Sequence, residues 1–283
     1  MVIFKKVADI QDYLYERKAA GDRVGFVPTM GALHAGHISL VQKALGEGML
    51  VVCSIFLNPT QFNDKSDLAK YPVSTENDIE LLISAGCDVL FLPGVDDIYP
   101  GGDEHAQTYD FGYLDTVLEG AKRPGHFKGV GQVVARLLNI VQPERLYMGQ
   151  KDYQQCMVVR ELVKLMHKEK EIEVIFCPTT REDDGLAMSS RNRRLTEPQR
   201  VTAGAIYQCL VSIQSKVADT GFGIVKKECE ELLKAKGFVP EYVELADARD
   251  LKVLNDYKPD VPMVALIAAK IGEIRLIDNY LLN

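Results

Sequence analysis

RVGFVPT, LVVCSIF, DVLFLP, RLYMG and IEVIFCP are short apolar runs that recur along the first two thirds of the chain, and their alternation with amphipathic stretches restricts the fold more than any other feature. Between them stand GHISLVQKAL, with Ile38, Val41 and Leu45 at helical spacing, then STENDIELLISAG, GVGQVVARLLNIV and YQQCMVVRELVKLMHKE. Strands that are apolar throughout, rather than at every second residue, are buried on both faces. Joined by helices, they predict a doubly wound, parallel, Rossmann-like α/β sheet. Ahead of them, DIQDYLYERKAA (residues 9–20) predicts a helix that opens on an aspartate cap and closes on Gly21.

The alternation stops after CPTTREDDGLAMSSRNRRL. TEPQ is a capping box with proline in the first turn, and it predicts a helix to about Val217. A helix near 223–236 and strand-like runs at VPEYVELAD, PMVALIAAKI and EIRLID follow. The division expected is a Rossmann-like domain over 1–179 and a smaller C-terminal α+β domain over 180–283.

Composition narrows the partners. With 283 residues and 47% hydrophobic content the chain can bury a sizeable core. A net charge of −7 speaks against coating nucleic acid or an acidic membrane and favours small molecules. No apolar run approaches the ~18 residues of a membrane span, and MVIFKKVADI has a lysine pair where a secretory signal would be apolar. A cytoplasmic protein is expected. The six cysteines stand at least 20 residues apart, several in apolar runs, and read as core residues.

The chemistry gathers where strands end, which is where open α/β sheets bind ligands. PTMGALHAGHISL places His34 and His37, with Gly31 and Gly36, at the turn between the first strand and helix of a βαβ unit. Two imidazoles beside unpaired first-turn amides suit an anion; a loop with capping histidines is the competing reading. The glycine spacing matches neither GxGxxG nor GxxxxGK[ST]. In FLNPTQFN, Asn58-Pro59 marks a turn that displays Gln61, whose amide can both donate and accept. YMGQKDYQQ offers Gly149, Lys151, Asp152 and Gln155, or simply a helix start capped by Asp152. AKRPGHFKGVGQ (121–132) reads as a mobile basic loop carrying Arg123 and His126. DGLAMSSRNRRL reads as a flexible loop in which Ser189, Ser190 and Arg191 suit a transferring phosphoryl group, or as a linker with solvated charges. No Ser-His-Asp set or paired carboxylates can be argued, so positioning and charge stabilisation of phosphoryl or nucleotidyl transfer fit best.

Taken in order, PTMGALHAGH, NPTQF, YP, EGAKRPGHFKGV, GQKDYQQ and REDDGLAMSSRN resemble the pantoate–β-alanine ligases (pantothenate synthetases) over almost the whole chain. HAGH resembles the HxGH signature of a nucleotidyltransferase superfamily and AMSSR its KMSKS counterpart. The resemblance implies an HxGH-type Rossmann-like fold and a two-step reaction. ATP and pantoate give pantoyl adenylate and pyrophosphate, and the amine of β-alanine then displaces AMP.

The resemblance also implies roles. His34 and His37 would hold the ATP phosphates, within a nucleotide-binding stretch of Met30, Gly31, Ala32, Leu33, Ala35 and Gly36. Lys151, Ser189, Ser190 and Arg191 would bind phosphates and developing charge. Gly149, Gln150, Asp152, Thr180 and Met188 would complete the ATP site, Thr180 through its backbone. Gln61 and Gln155 would hold pantoate, Pro28, Val133 and Val134 would wall its methyl groups, and Asn58, Arg123 and His126 are further candidates for pantoate or β-alanine. Mg²⁺ arriving on ATP, a homodimer and a C-terminal domain closing over ATP are implied as well. Asn77 stands beside Asp78 where members often carry consecutive acids, so no metal ligand is assigned there. Thr60 replaces a more usual apolar residue, and Gln150 a charged one.

Overall fold

Val24, Phe26, Val27, Val51 and Val52 have no exposed surface, as strands covered on both faces require. In the computed structural model, which describes residues 1–62, 68–102 and 106–282, they lie in β2 (Val24–Thr29) and β3 (Leu50–Ile55). These pair in parallel, Val24 with Leu50 through Thr29 with Ile55. With β1 (Val2–Phe4), β4 (Val89–Phe91), β5 (Arg145–Gly149) and β6 (Glu173–Cys177) they form a parallel sheet of order β1-β4-β3-β2-β5-β6.

Side chains alternate across that sheet. Val24, Phe26 and Val52 join one apolar cluster, while Val27, Val51 and Cys53 join another. Helices cover both: α1 (Val7–Ala19), α6 (His126–Val141) and α7 (Tyr153–Leu165) contribute to the first, α2 (Ala35–Gly46) and α3 (Thr75–Ser84) to the second. Short helices α4 (Val95–Ile98) and α5 (Leu118–Lys122) complete this layer. Glu47, just past α2, fastens that helix to β5: it accepts from Tyr147 Oη at 2.6 Å, Arg145 Nη1 at 2.7 Å and Lys43 Nζ at 2.8 Å.

Two local expectations are corrected, and one strand is an addition. The first helix starts at Val7 behind Lys6, which makes no side-chain cap, and Asp9 lies in its first turn where it favours the helix dipole. Residues 126–132 are not a loop, because α6 begins at His126. Its glycines serve close packing: a Cβ on Gly129 would sit 2.5 Å from Thr60 O, and one on Gly131 2.7 Å from Phe111 Cζ. The edge strand β1, three residues with Val2 and Ile3 exposed, has too little apolar pattern to be read in advance.

The chain divides into two units: Met1–Gly149 with Gln154–Pro178, and Gln150–Tyr153 with Thr179–Asn283. The second unit packs α8 (Glu197–Ala203), α9 (Ala205–Thr220) and α10 (Phe222–Ala235) with a four-stranded antiparallel sheet of order β10-β9-β7-β8. Its strands are β7 (Phe238–Asp247), β8 (Val253–Leu254), β9 (Met263–Ile271) and β10 (Ile274–Leu281). The single helix expected after TEPQ is two, divided at Gly204, where a Cβ would stand 3.1 Å from Asp184 O. All six cysteines are buried and free, as expected of core residues. Among the described residues no helix is long and apolar enough to cross a membrane.

Candidate active site

From β2 the chain proceeds outward to β3 and β4, then crosses back to place β5 and β6 on β2's other side. The reversal between β2 and β5 is a topological switch point, the place where such sheets leave a crevice beyond the strand ends. Thr29 ends β2 there, its Oγ1 donating to Ser54 O at 2.7 Å and accepting the Gly31 amide at 3.2 Å. Gly31 then turns at φ +83° and Ala32 at φ +51°, a left-handed pair. A Cβ on Gly31 would lie 3.1 Å from Ile55 Cγ2 and 3.2 Å from Asp78 Oδ2, so only glycine fits.

Asp78, on α3 and 1% exposed, fixes this turn. Its Oδ2 accepts the Ala32 amide and its Oδ1 the Leu33 amide, both at 2.8 Å, and Ser74 Oγ donates to Oδ1 at 3.0 Å. The next residue, His34, caps α2. The Gly36 amide donates to His34 Nδ1 at 3.2 Å, and the His34 amide donates to His37 Nδ1 at 3.3 Å, a reciprocal cap with the rings 4.1 Å apart. With each Nδ1 accepting, a neutral ring carries its proton on Nε2. The capping reading of these histidines holds, and the capping bonds select the tautomer with the proton on Nε2. Ala35 and Gly36 form the first turn of α2.

Beyond β3, Asn58 caps a 3-10 turn over Pro59–Gln61 whose last residue is Gln61. Asn58 is 1% exposed and saturated. Its Oδ1 accepts from Tyr99 Oη at 3.0 Å and Thr60 Oγ1 at 3.1 Å, and its Nδ2 donates to Gln61 Oε1 and to Gly129 O, each at 3.3 Å. Those bonds orient two amides in series. Because Asn58 offers N–H to Gln61 Oε1, Gln61 turns its own Nε2 outward, toward Met30 Sδ. His126 supports the same turn from α6: its Nδ1 donates to Gln61 O at 2.8 Å, so its Nε2 accepts from Arg123 Nη1 at 3.2 Å. His126 is buried and Arg123 also faces Glu119, so both stand behind Gln61. Val133 and Val134 are buried on α6, Pro28 is half-buried on β2, and Gln155 is half-buried on α7. Gly149 ends β5.

The remaining candidates belong to the second unit. Gln150, Lys151 and Asp152 form a 3-10 turn, with Lys151 Nζ 3.6 Å from Asp152 Oδ1. The segment expected to be a flexible loop is an ordered hairpin and turn. Arg181 bridges Ala187, the Met188 amide donates to Thr180 O at 3.0 Å, and Ser189 caps a 3-10 turn over Ser190–Arg194 by accepting the Arg191 amide at 3.3 Å. Ser190 is buried, and Asn192 Nδ2 donates to Ala187 O at 3.0 Å. Arg181 stacks 4.4 Å over the Tyr207 ring and grips Asp278 through both guanidinium nitrogens, at 2.5 and 3.1 Å. Burial pushes the Asp278 carboxyl up, and Arg181 opposes that shift.

Sequence reasoning assigned no role to Asp78, Tyr99 or Asn279, which touch the candidate residues from behind. Only Asp78 had a local signal, a serine four residues earlier at the start of a helix. Among the described residues no group of three or more His, Cys, Asp or Glu side chains could hold a metal.

A helix-capping pair of imidazoles at the switch point of a parallel sheet places the protein among the α/β nucleotidyltransferase-like enzymes. Comparison with known proteins narrows this. The model of the family Pantoate-beta-alanine ligase matches residues 2–281. A pantothenate synthetase from Bacteroides thetaiotaomicron is 44% identical over 282 residues, covering 99% of this chain and 98% of the relative. The crystal structure of pantothenate synthetase from Thermus thermophilus superposes with a TM-score of 0.90 at 39% identity, covering 100% of this chain and 99% of that one. The pantoate-beta-alanine ligase from Francisella tularensis, complexed with beta-gamma ATP and beta-alanine, gives 0.82 at 37%, covering 100% and 98%. The chain belongs to the pantoate-β-alanine ligase family, and it is an enzyme.

Proposed function

We propose that the protein condenses pantoate with β-alanine at the expense of ATP, through pantoyl adenylate. A pantoate carboxylate oxygen attacks the α-phosphorus of ATP and the bond to pyrophosphate breaks. The amine of β-alanine then attacks the acyl carbonyl, AMP leaves with the bonding pair, and the nitrogen gives up its proton. Pantothenate, AMP and pyrophosphate are the products.

The observation that carries this reading is the reciprocal cap of His34 and His37, which fixes two imidazoles with Nε2 as donor at the positive end of α2. Donors fixed in advance stabilise charge that grows on the phosphates without reorganising. Lys151, Ser189, Ser190 and Arg191 add the cation and hydroxyls suited to the leaving pyrophosphate. Met30, Gly31, Gly149, Gln150, Asp152, Thr180 and Met188 complete the ATP contacts. Gln61, whose Oε1 is engaged by Asn58, meets pantoate as a donor to its oxygens, with Gln155 beside it and Pro28, Val133 and Val134 against the methyl groups. Mg²⁺ rides on the ATP phosphates, as suits an ion that keeps its waters and needs few protein oxygens.

The test is pyrophosphate exchange into ATP by the purified protein with Mg²⁺. Exchange is expected to require pantoate, and adding β-alanine is expected to yield AMP and pantothenate. Exchange supported by another acid or a phosphate ester but not by pantoate would overturn the reading.

A further inference from the structure

Asn279 is 2% exposed on β10, beside the wholly apolar stretch Val264–Ala269 of β9. A buried amide in such a sheet needs partners, and it finds them far away in sequence. Its Nδ2 donates to Gln150 O and to Lys151 O, both at 2.8 Å, and its Oδ1 accepts from Gln150 Nε2 at 3.4 Å. Asn279 thus spends both of its amide hydrogens on the main chain of the 3-10 turn that carries Lys151.

The peptide that carries Asn279 is itself held. Its N–H donates to Asp278 Oδ1 at 2.8 Å, and its carbonyl accepts from Arg181 Nη2 at 3.2 Å. Arg181 pairs with Asp278 and also donates to Gly185 O at 3.0 Å. One network thus joins the Lys151 turn, β10 and the hairpin leading to Ser189, all within the second unit. A lysine presents a point charge on a flexible four-carbon stem, so its placement depends on how firmly its main chain is held.

We infer that Asn279 is the positioning residue for Lys151, fixing the turn from which the ammonium reaches the phosphates of ATP. The inference rests on the ATP-binding role of Lys151 proposed above. It assigns to the last strand of the chain a part in the first chemical step.

A double-mutant cycle tests it. Rates of pyrophosphate exchange and ATP affinities by calorimetry are measured for the unmodified protein, Asn279→Ala, Lys151→Ala and the double variant, with thermal midpoints alongside. Asn279→Ala is expected to slow exchange by about tenfold to 100-fold when Lys151 is present, the scale of a misplaced catalytic group. It is expected to add less than about twofold when Lys151 is already alanine, because it then has nothing to position. An equal fall in both backgrounds, as a purely structural role would give, overturns the inference, as does no fall in the first. If the alanine variant does not fold, Asn279→Ser, whose hydroxyl retains one donor, carries the same cycle. The cycle on ATP affinity needs no acid substrate. Absence of pantoate-dependent exchange therefore counts against the ligase reading, while the affinity cycle still decides Asn279. ATP affinity that ignores Lys151 overturns the positioning role.

Discussion

Asp78 holds the amide of Ala32 at 2.8 Å at the point where the chain turns left-handed. The same carboxylate takes the Leu33 amide and the Ser74 hydroxyl. A buried carboxylate sustained by three donors works as a backbone clamp, and every donor is matched to an acceptor that cannot itself donate. Asp78→Asn turns an NH₂ toward one of those N–H groups. We expect it to cost about 1–3 kcal/mol of stability, the penalty of a buried unsatisfied donor, and to slow pyrophosphate exchange by misplacing His34. Urea unfolding and exchange rates check both parts; a variant unchanged in both would refute the clamp.

His37 has two tasks that separate on measurement. As the partner of the His34 amide it stabilises the start of α2, and losing that bond costs about 1 kcal/mol. As a donor to phosphate its loss costs about 10²-fold or more in the chemical step. His37→Ala should therefore unfold only a few degrees early yet form adenylate orders of magnitude more slowly, in single-turnover experiments followed by pyrophosphate release.

Tyr99 sets the direction of a relay. Its hydroxyl donates to Asn58 Oδ1, which leaves Asn58 Nδ2 to meet Gln61 Oε1. Tyr99→Phe keeps the ring, with Arg136 stacked 5.2 Å above it, and removes one of the bonds that orient both amides. The expected result is a rise of about tenfold in KM for pantoate, about 1.4 kcal/mol, with KM for ATP unchanged. Equal changes for both substrates would mean that the relay does not reach the acid site.

Glu47 gives the protein an acid-sensitive fastening. Its hydrogen bond from Lys43, then that from Tyr147, lower its carboxyl from 4.5 to about 2. Because the folded-state value is depressed, the stabilisation is complete above the ordinary value and is lost as pH falls from about 4.5 toward 2. The side chain is 21% exposed, and solvent screening reduces the effect to about 1 kcal/mol. Glu47→Gln is expected to be less stable at neutral pH and to show a shallower loss between about pH 5 and 2.5. Parallel urea midpoints across that range for the two proteins would remove Glu47 from the account.

The inner strands and the turn after β2 were legible in the sequence because both are local. A run such as LVVCSIF declares a strand buried on both faces, and glycines and histidines at its end declare a turn. What could not be read lies between distant residues. Asp78 meets Ala32 across 46 positions, Tyr99 meets Asn58 across 41 and Asn279 meets Lys151 across 128. Each of the three is polar, buried and placed in an unremarkable local pattern, so only tertiary structure tells it from a surface residue. The glycines of KGVGQ misled for the opposite reason: locally they mark a loop, yet the backbone of Thr60 and the ring of Phe111 press against them. Gly204 likewise stands at a division in a run of helical residues, with the Asp184 carbonyl 3.1 Å from where a Cβ would lie.

The stretch GQKDYQ changes allegiance twice, Gln150–Tyr153 belonging with residues 179–283 while Gly149 and Gln154 belong to the first unit. A single cut therefore cannot yield the C-terminal unit whole. A fragment beginning at Thr179 would strip Asn279 of its two carbonyl acceptors and Ala248 O of the Tyr153 hydroxyl that donates to it at 2.7 Å. The second unit is an assembly rather than a tail, and a graft or chimaera that transplants it must carry these four residues as well.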